Sequence, residues 1–143
     1  MRIRILYLLF FILIFCNCNG QQVEKTEAGN TKEHTFQMVS VPSVITEPEE
    51  RAAYLVKHYW DKFDFTDTTL IHFPEITEQA TSNYIDMMKY VPAKVAASSI
   101  KEMMSKASTD SSMFVYFSGL YEKYLYDPNS PMLNEEFYIP VLK

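Results

Sequence analysis

The sequence predicts an all-α protein, a small bundle of four to five helices that follows a signal peptide and a polar linker. Three observations predict it. Apolar residues return at helical spacing in successive segments from Ala52 onward. The chain has only three glycines, too few for a turn-rich sheet protein. Prolines stand where helices begin, at Pro74 and Pro92. A chain of 143 residues makes one ordinary domain. Setting aside a signal and linker leaves roughly 95 residues for a core, and the 48% hydrophobic content is that of a globular protein.

The N-terminus reads as a targeting segment. Arg2 and Arg4 form a short positive region before the unbroken apolar run from Ile5 to Phe15, which ends in Cys-Asn-Cys-Asn-Gly. A spanning helix needs about 20 apolar residues, so this run has the length of a signal-peptide core. Its end resembles the lipobox of a bacterial lipoprotein, where a cysteine thiol takes a diacylglyceryl group before cleavage. Cys18 is the expected lipidation site and Cys16 the alternative, because Asn17 before Cys18 is small and the soluble part begins just after it. Residues 1–18 are thus assigned to the signal. The expected location is the cell envelope, lipid-anchored at its periplasmic face or at the cell surface, with several acyl chains giving stable attachment. Residues 19–46 are polar and without periodicity, a flexible tether in which residues 36–41 either pair as a short strand or lie over the domain.

The helical domain is placed at residues 47–143. Thr46 and Glu49 match a capping box, and Ala52, Leu55, Val56, Tyr59, Trp60 and Phe63 fall on one face of a first helix. Lys57 and Asp61 are spaced to pair across one turn. A connection over 64–73 leads to Pro74, which opens a second helix lined by Ile76, Ala80, Tyr84, Met87, Met88 and Val91. Pro92 ends it and starts a third, whose stripe is Ala96, Ile100, Met103, Met104 and Ala107. Residues 108–112 supply the next cap. The segment 113–126 is apolar or aromatic nearly all round and is expected to be the central helix, with Trp60 buried between it and the first. Residues 127–131 form a turn by composition and 132–139 a short last helix. The apolar end, with Phe137, Ile139, Val141 and Leu142, reads as a segment about to enter another structural unit, so the domain is expected to be cut off before a further one.

Chemistry is sparse. Formal net charge is −5, and loss of Arg2 and Arg4 would make the remainder more acidic. Such a surface repels phosphate backbones, so no nucleic-acid partner is expected. No serine or cysteine has a nucleophile elbow, and Gly-rich phosphate loops are absent, which leaves no hydrolase or nucleotide-binding motif. His58 with Asp61 and His72 with Glu75 have ligand-like i, i+3 spacing, but in reverse of the Glu-x-x-His order of helical di-iron sites. They read as solvated pairs. Glu135 and Glu136 are adjacent and diverge on a helix. No catalytic residue, metal site or cofactor is expected. The tyrosines of 113–126 are the most suggestive group, since four of them around one helix cannot all point inward; Tyr116, Tyr121 and Tyr126 are the candidates for a partner-facing patch.

The runs HYWDKFDFTD (58–67) and YLYDPNSPMLNEEFYIPVL (124–142) resemble an uncharacterised helical domain of envelope lipoproteins from Gram-negative gut anaerobes. In those proteins the domain precedes a thioredoxin-like domain of the periplasmic disulfide-reductase type. The resemblance covers residues 51–143. It implies that any redox chemistry belongs to a CxxC in the downstream domain, and this chain has no CxxC. It also implies a protein partner or thioredoxin-like domain as neighbour. The expected function is therefore a non-enzymatic accessory or partner-binding module of a lipoprotein associated with thiol–disulfide exchange. The alternatives are a free-standing helical lipoprotein that binds a peptide or protein and, distantly, a metal-dependent enzyme.

Overall fold

The computed structural model describes residues 35–143. The segment expected to be a signal peptide, both cysteines and most of the expected tether lie outside them. The described residues form an all-α bundle with no strand or sheet. Helix α1 spans Pro48–His58, α2 Pro74–Met87, α3 Ala93–Ala107, α4 Ser111–Leu125 and α5 Glu135–Tyr138. None is long and apolar enough to cross a membrane.

Helix α1 does not use the Thr46–Glu49 capping box. Its N-cap is Glu47, with no side-chain cap bond, and Pro48 takes the first helical position. Proline has no N–H to leave unsatisfied there, and its fixed φ suits the helix, so it sets the boundary beyond Thr46. The helix also ends at His58, short of the expected Phe63. From there the backbone tightens to i+3 bonds, Asp61 N to His58 O at 3.2 Å and Phe63 N to Trp60 O at 3.0 Å. That tightening brings His58 beside Asp61 in place of Lys57: His58 Nδ1 and Asp61 Oδ2 are 2.7 Å apart. The lysine that reaches Asp61 is Lys106 of α3, at 3.1 Å.

The connection 64–73 holds more structure than its composition suggests. Asp64 accepts bonds from the backbone and hydroxyl of Thr66, and Asp67 does the same for Thr69, leading into a 3-10 turn at Thr68–His72 that buries Leu70. The twice-repeated Asp-x-Thr spacing is the sequence signal for these turns. Helix α2 then starts at Pro74, as expected. Its buried face is Ile76, Thr77, Ala80, Thr81, Tyr84 and Ile85. The two threonines enter the core without orphan hydroxyls because each donates to a carbonyl one turn back, Thr77 to Phe73 at 3.2 Å and Thr81 to Thr77 at 2.8 Å.

Helix α3 buries Ala96, Ser99, Ile100, Met103, Met104 and Ala107, the expected stripe with one serine added. It packs on α1, α4 and the C-terminal 3-10 turn Ile139–Leu142. Asp110 caps α4 by accepting from Ser112 N at 2.8 Å and Met113 N at 3.1 Å. Helix α4 is not buried all round. Met113, Phe117, Leu120, Tyr121 and Leu125 face the core, while Phe114 and Val115, and Tyr126 just past the helix end, stay exposed. Asn134 caps α5, and Pro140 shortens it to one turn by removing an N–H, so the chain continues as the 3-10 turn. Phe137, Pro140 and Val141 are buried there against the bundle; Ile139 and Leu142 are exposed.

Trp60 is 3% exposed and anchors the core. Its indole meets Phe117 of α4 at 5.4 Å, Tyr84 of α2 at 5.6 Å and Phe63 at 5.3 Å, all edge to face, the favoured arrangement for aromatic pairs. Phe36 lies over the same cluster, 4.8 Å from Tyr59 and 5.4 Å from Trp60, and residues 36–41 form no strand.

Candidate partner-binding surface

The three tyrosines singled out in the sequence meet different fates. Tyr121 is fully buried and is not a partner-facing residue. It lies four residues after Phe117 and eight after Met113, on the stripe that packs into the core, and its hydroxyl reaches the Met103 sulfur at 3.7 Å. Burial holds its phenol well above the ordinary tyrosine range. Tyr116 is half-buried at the α2 side, with its hydroxyl 2.7 Å from that of Thr77. Tyr126 alone is open, 52% exposed, with its ring stacked on Tyr138 at 5.1 Å.

Tyr126 forms one wall of an open groove of about 810 Å³ between the end of α4 and the turn that leads to α5. Gly119, Glu122 and Tyr126 present one face of α4 to it, while Pro128, Leu133 and Glu135 close the other side. Leu133 is 48% exposed. Glu122, Leu133 and Glu135 carry no local motif, and only their convergence from two elements reveals them. A second groove, about 460 Å³, runs between α3 and the C-terminal turn beside Phe114 and Leu142.

A polar seam ties α4 to α2 next to the first groove. Glu78 receives both the Lys123 ammonium and, at 2.9 Å, the Tyr124 hydroxyl. Those two hydrogen bonds hold the Glu78 carboxyl below its usual range, and the Tyr124 phenol, raised by partial burial and by the carboxylate, is pushed up to about 12. A carboxyl that ionises more readily folded than unfolded stabilises the fold above its unfolded value, and that contribution fades as pH falls through the depressed one. Glu78→Gln should therefore flatten the loss of stability between about pH 5 and about pH 3. Urea midpoints at the two pH values check this; an acid loss as steep as in the parent chain would assign the sensitivity to other groups.

The His58–Asp61 pair is half exposed and its other neighbours are Lys106 and the Tyr54 ring. Burial works against the Asp61 carboxylate, but bonds from His58 and Lys106 outweigh it and lower its pKa. Among the described residues no group of three histidines, cysteines or carboxylates is placed to hold a metal ion. His72 ends the 3-10 turn and Glu75 lies in the first turn of α2, on separate elements. Glu135 and Glu136 begin α5, and of the two only Glu135 reaches the groove.

The family model described as a domain of unknown function, DUF5106, matches residues 16–143. A crystal structure of a thioredoxin-like protein from Bacteroides caccae ATCC 43185 is 51% identical, with a TM-score of 0.74. The match covers 76% of this chain and 39% of that one, so this chain corresponds to well under half of that protein. No curated protein matches the chain.

Proposed function

The chain belongs to the DUF5106 family of domains, and from that premise we propose that it is a non-catalytic accessory module of a cell-envelope lipoprotein, which positions or recognises a partner for thioredoxin-like thiol–disulfide exchange. The observation that carries this reading is the 51% identity to part of a thioredoxin-like protein. Chemistry supports the division of labour. Reducing a disulfide by the dithiol route takes one thiolate to attack and a second thiol to resolve the mixed disulfide. Residues 35–143 contain no cysteine, so the helical unit supplies neither, and the exchange falls to a thioredoxin-like neighbour.

A chain starting at Gln21 should reduce insulin, with dithiothreitol as electron source, no faster than dithiothreitol alone. Acceleration by this cysteine-free form would overturn the reading. In a longer relative that also carries the thioredoxin-like part, deleting the region equivalent to residues 47–143 should weaken binding to its protein partner. Unchanged affinity would reduce the domain to a spacer.

The anchor belongs to the same proposal. The short apolar run that ends at Cys16 and Cys18 supports export and lipidation at Cys18, with the domain held in the envelope on the 19–46 segment. Metabolic labelling with a palmitate analogue should mark the chain, and Cys18→Ser should abolish the label. Loss of label with Cys16→Ser alone would move the site to Cys16, and no label on the parent chain would leave ordinary secretion.

A further inference from the structure

We propose that the groove between α4 and α5 binds an extended protein segment that bears an arginine or lysine beside an apolar side chain. The inference rests on the accessory-module reading and names the surface and the chemistry of its partner. The groove offers two things at once. Tyr126, with one face stacked on Tyr138, and Leu133 are large apolar side chains that remain half exposed. Between them α4 presents Gly119, where even an added Cβ would meet nothing within 4 Å, so a guest can approach the helix closely.

The second feature is charge. Glu122 on α4 and Glu135 at the start of α5 face the groove from opposite sides, Asp127 of the intervening turn adds a third carboxylate to its lining, and none of the three has an ion-pair partner among the described residues. Lys123, the one cation on the lining among the described residues, is engaged by Glu78 on α2. Carboxylates without an ion-pair partner beside an aromatic face suit a guanidinium or ammonium, which can pair with them and lie over the Tyr126 ring. The net charge of −5 attracts the same sign of guest and disfavours a nucleic acid.

The shape points to an extended segment. A small ligand is normally enclosed on most of its surface, whereas this groove is open along one side. No strand is present among the described residues to offer a sheet edge, so recognition has to work through side chains.

The test is to pan a random-peptide display library on the full chain and measure affinities for the enriched peptides. Enriched sequences should carry arginine or lysine next to an apolar residue, and their binding should weaken as salt rises. The double variant Glu122→Gln, Glu135→Gln should bind them about tenfold more weakly. Glu102→Gln, which removes the exposed α3 carboxylate that pairs with Lys106, should leave the affinity unchanged. Enrichment of sequences without a cation, absence of enrichment over a blank surface, or equal affinity in the double variant would each overturn the proposal. Self-association of the chain that Tyr126→Ala abolishes would also overturn it, by assigning the groove to a second copy. If the longer relative loses its partner on deletion of the domain but keeps it when the two carboxylates are neutralised, the groove fails and the accessory reading stands.

Discussion

Replacing Trp60 with alanine is expected to cost the helical unit about 3–5 kcal/mol, a large part of the 5–15 kcal/mol that holds a typical domain together. The indole is almost wholly buried where α1, α2, α4 and the Phe36 segment meet, so truncation removes a large apolar area and leaves a cavity lined by rings. Relaxation is limited because Phe117 and Tyr84 are themselves fully packed. Thermal unfolding followed by circular dichroism at the helix band should show either a steep fall in midpoint or no cooperative transition. A midpoint within a few degrees of the parent, with a cost under about 1 kcal/mol, would contradict the packing described here.

Tyr121 gives the second large effect, and it comes with an internal control. Tyr121→Ala should destabilise by about 3–5 kcal/mol, as expected for a fully buried ring. Tyr121→Phe should cost under about 1 kcal/mol, since it keeps the ring and gives up only a weak bond to the Met103 sulfur. Denaturant unfolding of the pair decides the matter. If Tyr121→Ala left stability intact but altered partner binding, the residue would belong to a surface after all.

The helices most legible in the sequence are those whose boundaries are set by single residues. Pro74 and the Pro92–Ala93 step mark the starts of α2 and α3, and the α3 stripe from Ala96 to Ala107 follows the helical period with little distortion. Helix α1 was less legible at both ends. The capping box competed with a proline two residues on, and the tightening after His58 depends on where Trp60 and Phe63 find their rings, which is a tertiary matter. Tyr121 was readable in principle, since Met113, Phe117, Leu120 and Tyr121 keep the i, i+4, i+7, i+8 spacing of one face. An aromatic content spread all round α4 hid that stripe. Of the groove, Tyr126 could be named in advance because it lies at the end of the aromatic helix. Glu122, Leu133 and Glu135 could not, because their meeting depends on how the 127–131 turn folds the chain back.

The ring cluster around Trp60 also has an optical consequence. It is the single tryptophan among ten tyrosines, and two of those tyrosines, Tyr59 and Tyr84, stand 5.2 Å and 5.6 Å from it. Excitation absorbed by either phenol passes readily to the lower-energy indole at such separations. Light absorbed by Tyr59 or Tyr84 in the folded chain should therefore emerge chiefly as Trp60 emission, and the emission of these two tyrosines should appear only when α1, α2 and α4 come apart.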